Sequence, residues 1–333
     1  MKYCQPKYYN DFNCIAADCT DTCCRYWQVE LDKKSVSFYR EYGRDNKSEL
    51  PVRFIGGAFG NRHFKNKQNG DCIFLNESKL CKLYCKVGHE NLPETCQLYP
   101  RFINNFGGYE ERGLSFSCPT AAALITQNEL ALYEYLDDTP IYSFVDIDAE
   151  LFITLKTFRN HLIEYIDEFD DVNTIFSFVI SSAYLAQKHI DVKEYSKVSA
   201  LSIKDIYENM VNIDFYKLRY RAVKEHMSHK HLRSEWPKIL HDSINTSFIP
   251  SLHFVKIWAK YFVFRYLLKA SYDGLVYERL CAVVYSALVI FGLKLDYVTA
   301  MQKYSKETEH NEYNLKRLFK DAKSMFSKNI VDK

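Results

Sequence analysis

Cys14-Ile-Ala-Ala-Asp-Cys19-Thr-Asp-Thr-Cys23-Cys24 (residues 14–24) is the stretch from which the organisation of this chain is read. It opens a segment that continues through Cys72, Cys81, Cys85 and Cys96 and closes at Cys118, holding nine of the 11 cysteines. Buried thiols that merely pack need no such clustering, so this density points to a shared metal or iron–sulfur centre. The later cysteines sit beside turn formers, in Gly70-Asp71-Cys72, Pro93-Glu94-Thr95-Cys96 and Ser117-Cys118-Pro119. Ligands carried on such loops converge from distant sequence and staple a region poor in long elements.

Cys19 and Cys23 stand four apart, as do Cys81 and Cys85, which puts two sulfurs on one side of a helical turn. Cys23 and Cys24 are adjacent. On extended backbone their side chains diverge, so either a tight turn brings both to one metal or one of them packs or serves a second centre. Only His63 and His89 represent histidine here. An all-thiolate site favours structural zinc or an iron–sulfur cluster over catalytic zinc, and spacing does not separate those two. The three-cysteine pattern of radical enzymes, with gaps of three and two, is absent, because Tyr26 and Gly88 occupy the required positions.

Outward from this segment, 333 residues with 47% hydrophobic and 26% charged content describe a folded chain able to bury a large core. A formal charge of +2 supplies no overall field for nucleic acid or an acidic membrane. The polar start MKYCQPKYYNDFN lacks the apolar centre of a signal peptide, so the expected location is a reducing cytoplasm where thiols stay free for metal. The longest apolar run, Leu280 to Leu293, falls short of the roughly 20 residues that span a bilayer and is expected to be a buried core helix. The 26 Tyr and 23 Phe are read as core volume in a chain with only 5 Met.

Texture changes near residue 120. Before it, Gly, Pro, Asn and Cys punctuate short segments; after Ala121, Pro recurs only at Pro140, Pro237 and Pro250. Between Ile147 and Phe169 the apolar residues Leu151, Leu155, Phe158, Leu162 and Ile166 recur every three or four positions, behind the acidic start Asp146 and Asp148. The window Phe254 to Ala270 sets Lys256 and Lys260 apart from an apolar face. The expected fold is therefore mainly α: a loop-rich cysteine and metal-binding domain over residues 1–120, followed by a helical bundle domain over 121–333.

Phe12-Asn-Cys14, Cys19-Thr-Asp-Thr-Cys23-Cys24, Trp27, Asp32, Cys72-Ile-Phe-Leu, Cys81-Lys-Leu-Tyr84, Leu92-Pro-Glu-Thr-Cys96-Gln-Leu-Tyr-Pro-Arg101 and Leu114-Ser-Phe-Ser-Cys118-Pro119 resemble the flagellin lysine-N-methylase family. That family belongs to the wider group of zinc- or iron-chelating domains marked by a run of cysteines ending in a pair. The likeness covers residues 8 to 120; beyond them only helical character is shared. It implies S-adenosylmethionine-dependent methylation of lysines on flagellin or another protein substrate, by an enzyme carrying a [4Fe-4S] cluster, with zinc as the alternative. By the family pattern the metal-facing set is Cys14, Cys19, Cys23, Cys24, Cys72, Cys81, Cys96 and Cys118, which leaves Cys4, Cys85 and Cys281 as plain thiols.

Methylation requires that a lysine, with an ordinary pKa of about 10.4, lose its proton before it attacks a methyl sulfonium. No strand-then-glycine fingerprint of the doubly wound methyltransferases occurs; Gly56 and Gly57 lie in the nearest Gly-rich run, which also reads as a plain surface loop. The stretch from Tyr99 to Glu111 is the better candidate. Arg101 could grip a carboxylate of the donor, Tyr99 and Tyr109 flank a cation, and Glu110 receive the substrate ammonium. Against this stands a simple polar hairpin. His226, His229 and His231, set among Arg219, Arg221, Lys224, Lys230 and Arg233, read as a solvated basic helix face because neighbouring cations oppose metal. The competing function is a non-catalytic zinc- or iron-binding module whose helical half docks a protein, with no nucleic-acid or membrane partner.

Overall fold

The computed structural model describes residues 2–27, 29–45, 54–56, 62–137, 145–246 and 250–330. Among them the amino-terminal part consists of short pieces: β1 (Lys2–Pro6), β2 (Glu30–Leu31), α1 (Lys33–Asp45), β3 (Phe54–Gly56), β4 (Arg62–Phe64), α2 (Lys82–Val87), α3 (Glu94–Leu98), β5 (Arg101–Asn105), β6 (Tyr109–Leu114), α4 (Pro119–Thr126) and β7 (Leu132–Leu136). Ten further helices follow: α5 (Ala149–Asp167), α6 (Val172–Asp191), α7 (Tyr195–Ser199), α8 (Ile203–Glu208), α9 (Phe215–His226), α10 (Trp236–Ser243), α11 (Leu252–Tyr266), α12 (Val276–Ile290), α13 (Tyr297–Glu309) and α14 (Glu312–Ile330). The mainly α class, with loop-rich front and helical rear, is as the sequence implied.

The long helices begin where their chemistry says they should. The Asp148 carboxylate accepts from the Leu151 backbone N–H at 2.9 Å, and Asp171 accepts from Thr174 at 2.7 Å, each satisfying a donor that the first turn leaves free. Leu151, Leu155, Phe158, Leu162 and Ile166 of α5 are all buried, as their spacing predicts. The Leu280–Leu293 run is buried throughout and lies largely in α12, the central helix, which packs on α6, α9, α11 and α14. Burying each such Leu, Ile, Val or Phe contributes about 1.5–3 kcal/mol.

The amino terminus does not lie apart from this body. Strand β1 runs parallel to β6, with Lys2 opposite Tyr109, and antiparallel to β7, with Gln5 opposite Tyr133, giving a four-stranded sheet in the order β5-β6-β1-β7. Cys4 of β1 enters the same core as the helices, as do Tyr8 and Phe12 beyond the strand. Glu111 of β6 meets Arg159 of α5 in an ion pair whose side chains are 0% and 1% exposed. A second, smaller core forms around Tyr39, Phe64, Phe74 and Leu83, under the three-stranded sheet β2-β4-β3.

One expectation is corrected here. The His226–Arg233 segment is not a solvated face: His226, His229 and Arg233 are buried, as is Arg219 on α9. The cations find acceptors from remote chain. Arg219 is held by the carbonyls of Ile244, Thr246 and Gly292 at 2.8–2.9 Å, and His229 Nε2 lies 3.0 Å from Asp321. Arg233 receives Asp21, and Glu307 accepts its backbone N–H at 3.1 Å.

Candidate metal centre and its adjoining polar face

A short backbone ladder brings the first cysteines together. Tyr26 N–H donates to the Gly70 carbonyl at 2.8 Å, Arg25 pairs with Asp71, and Cys72 N–H donates to the Cys24 carbonyl at 2.8 Å. Gly70 is needed because its φ is +86° and a Cβ there would meet the Tyr26 ring at 2.5 Å. A second ladder, with Leu75 opposite Cys81 and Lys82 N–H donating to Phe74 at 2.8 Å, folds Cys81 back over Cys72. Cys81 caps the start of α2, where its sulfur accepts from Tyr84 N–H at 3.5 Å. Cys96 rides on α3, and Cys24, Cys81 and Cys96 pack against the small core that contains Cys72.

These four thiols act on one another. Cys24 is pushed up to about 12, first by its hydrogen bond to Cys23 and then by burial, with Cys81 opposing as a donor. Cys72 is pushed up to about 11 chiefly by burial. Cys96 is raised well above the thiol range by burial and by the neighbouring Cys24, Cys72 and Cys81. Clustered buried sulfurs resist ionisation until a cation offsets their mutual repulsion, which is the condition of a thiolate site. Among the described residues no group of three or more His, Cys, Asp or Glu side chains is arranged to hold a metal ion. The donor chemistry, sulfur throughout, fits zinc or an iron–sulfur cluster.

Cys118 is buried at the start of α4, where the backbone N–H groups of Thr120 and Ala121 favour its thiolate while burial, the larger effect, raises it; Cys19 and Cys14 are its thiol neighbours. Cys14 is exposed, and its sulfur accepts from Ala16 N–H at 3.4 Å. The loop between Cys19 and Cys23 is fastened to the helical body through Asp21. Its carboxylate takes Lys306 at 2.8 Å, Gln302 at 2.8 Å and Arg233, and the Thr22 carbonyl takes Lys306 again at 2.8 Å.

Beside Cys23 and Cys118 stands a polar face that combines both halves of the chain. Trp27 stacks on His310 with ring centroids 4.4 Å apart, and Tyr99 meets both rings at 5.5–5.6 Å. The Ser117 hydroxyl joins Tyr99 at 3.1 Å and His310 Nε2 at 2.9 Å, and Ser115 links it at 2.8 Å to a chain ending at Glu309 and Arg265. His310 Nδ1 is buried without a partner. Burial, with the nearby Lys306, Arg265 and Arg233, holds this imidazole well below its ordinary range, so it is neutral.

The sequence-derived site residues are thus divided. Tyr99 lies in this face. Arg101 is committed elsewhere, donating to the Phe12 carbonyl at 3.2 Å with its guanidinium over the rings of Tyr9 and Phe12. Arg101 pairs with Leu114 whereas Glu110 pairs with Asn105, so Tyr109 and Glu110 sit at the far end of the hairpin, about 14 Å away at ~3.4 Å per residue. There Glu110 binds Arg112 at 2.9 Å and Tyr109 donates to Glu134 at 3.3 Å. Gly56 is part of β3 opposite Arg62, and Gly57 lies outside the described residues. Cys4 and Cys281 are buried and Cys85 is exposed. His310 escaped the sequence reading; its one trace is that the last turn of α13, Ser305 to Thr308, is polar yet buried.

Residues 13–115 match a family described as "Putative zinc- or iron-chelating domain". Over 140 residues the chain is 26% identical to the flagellar biosynthetic protein FliU of Salmonella muenchen, a match covering 38% of this chain and 79% of that protein. It is 25% identical over 138 residues to lysine-N-methylases of Salmonella choleraesuis and Salmonella typhimurium, covering 38% of this chain and 33% of each of theirs. The chain therefore spans about a third of the length of those two relatives. No solved structure matches it significantly. No helix among the described residues is long and apolar enough to cross a membrane. Residues 13–115 are thus similar to the zinc- or iron-chelating family, and part of the chain is similar to the lysine-N-methylases.

Proposed function

We propose that the chain is a metal-containing protein methyltransferase that moves a methyl group from S-adenosylmethionine to lysines of flagellin or another protein. The observation that carries this reading is the contact of the Cys23 and Cys118 side of the thiol region with the Trp27–Tyr99–His310 face, where a neutral imidazole with a free nitrogen adjoins two large rings. The names of the matched relatives support it.

The residues of the chain divide the work as follows. The rings of Trp27 and Tyr99 attract the substrate ammonium through their π faces. Ser117 holds His310 Nε2 and so fixes the neutral ring beside them, and the ammonium gives its proton to water before the attack. The freed amine forms the new N–C bond as the donor's S–C bond breaks, and the thioether leaves with the electron pair. The eight cysteines Cys14, Cys19, Cys23, Cys24, Cys72, Cys81, Cys96 and Cys118 hold zinc or a [4Fe-4S] cluster. When bound, that centre supplies the rigid staple that keeps the Cys19–Trp27 loop against α13. Because Arg101 is already spent within the fold, no donor contact is assigned to it.

The test is incubation of anaerobically purified protein with methyl-labelled donor and flagellin. Label on lysine is expected, and His310→Ala, which removes the ring that Trp27 stacks on, should lower the rate about 100-fold with metal content intact. No transfer by protein replete in its metal, above all colourless protein with stoichiometric zinc, would refute the enzyme and leave the binding module.

A further inference from the structure

We infer that a small cavity between α4, α11 and the turn after β1 binds a free α-amino acid with an apolar side chain. The cavity holds about 240 Å³. That is below the ~300–1,000 Å³ of sites for drug-sized ligands and suits a single amino acid. None of the residues around it is a cysteine or belongs to the Trp27–Tyr99–His310 face.

Two donors at this cavity are unsatisfied. Tyr8, in the turn Lys7–Asp11, lines it and is 4% exposed, yet its hydroxyl has no hydrogen-bond partner among the described residues. Burial raises this phenol, so it keeps its proton and can donate. The other tyrosine of the wall is already committed, since Tyr261 donates to Glu309 at 3.0 Å. Lys256 of α11 is the second donor: the Asp167 carbonyl takes one of its three N–H groups at 2.8 Å, and among the described residues no carboxylate pairs with it. Lys260, by contrast, is paired with the Asp167 carboxylate at 2.7 Å. A ligand carboxylate satisfies both open donors with charge-assisted hydrogen bonds.

The lining also carries negative groups. Glu129 follows the C-terminal end of α4, where backbone carbonyls collect partial negative charge, and it has no ion-pair partner among the described residues. Lys256 and Lys260 stand against Asp167 and Glu129, so the lining has no net charge and a plain anion gains nothing from its overall field. A zwitterion meets both signs, with its ammonium at Glu129. Ile125, Leu130 and Ile257 complete the wall and bury an apolar side chain.

The test is an NMR titration of the full chain with leucine as probe. Isocaproate, which is leucine without its ammonium, and isoamylamine, which is leucine without its carboxylate, serve as controls. Saturable one-to-one binding of leucine is expected, with each control weaker by about tenfold or more, the worth of one hydrogen bond to a charged group. Tyr8→Phe removes only an unpaired hydroxyl and leaves the ring in the core, so the fold stands; it should weaken leucine about tenfold, as should Lys256→Met. Absence of saturable leucine binding, isocaproate binding as tightly as leucine, or unchanged affinity in either variant overturns the inference. Methyl transfer and metal content enter none of these readouts.

Discussion

Replacing Asp21 by Asn tests how the thiol loop is fastened to the helices. The Asp21 side chain is 16% exposed, and the two cations it meets, Lys306 and Arg233, are 2% and 3% exposed. Burial by itself would raise this carboxyl, yet Lys306 and Arg233 together bring it down from 3.8 to about 2. A shift of nearly two units corresponds to about 2.5 kcal/mol favouring the charged form. Asn keeps the shape but not the charge, leaving Lys306 with the Thr22 carbonyl and Arg233 with Glu307 at 3.8 Å. Breaking a buried pair on one side costs about 3–5 kcal/mol, so a loss of about 2.5–4 kcal/mol is expected in urea unfolding of the intact chain. Lys306→Met in the same background should be less than additive, because both changes remove one contact. The pH dependence has a definite sign: a carboxyl lowered in the folded state stabilises above its unfolded value near 4, and that contribution disappears as pH falls from about 4 to about 2. A loss below 1 kcal/mol, or full additivity with Lys306→Met, would refute this account.

Gly70→Ala should cost about 1–3 kcal/mol in thermal unfolding and weaken zinc retention by Cys24 and Cys72, since both the positive φ and the Tyr26 ring oppose a Cβ. Arg159→Met should cost about 3–5 kcal/mol by stranding Glu111, whereas the double change Arg159→Met with Glu111→Leu should recover most of it in the same denaturant assay. His226 is held well below its ordinary 6.5 by burial and by His229 and His231. The unfolded chain therefore takes up a proton that the native fold refuses, and stability falls as pH drops below about 6.5, at up to ~1.4 kcal/mol per pH unit for this ring. Glu307, pushed up to about 7 by burial, titrates with the opposite sign. The measurement is consequently the difference in slope between wild type and His226→Phe from pH 7 to 5.5, and equal slopes would count against the burial argument.

Several features of the fold are legible along the chain because they are local. Leu151 to Ile166 form one face at helical spacing and are buried as that spacing requires, and the Leu280–Leu293 run reads as core because too few polar residues interrupt it. The density of cysteines likewise marks the stretch that is similar to the zinc- or iron-chelating family. Tyr99 was visible as an aromatic within a motif. The histidines after α9 misled because counting neighbouring cations takes no account of remote acceptors, and Asp321 and Glu307 lie 75 to 92 residues away.

What sequence alone determined, then, is the clustering of the cysteines and the helical periods, since both depend on residue type and near-neighbour geometry. That Trp27 rests on a histidine almost at the other end of the chain was decided only by tertiary packing. Asp21 meets Lys306 across 285 residues, and Ser117 meets His310 across 193. Contacts of that span leave no periodicity in the residues between them, because they arise from the complementarity of charge and shape between surfaces that folding brings together.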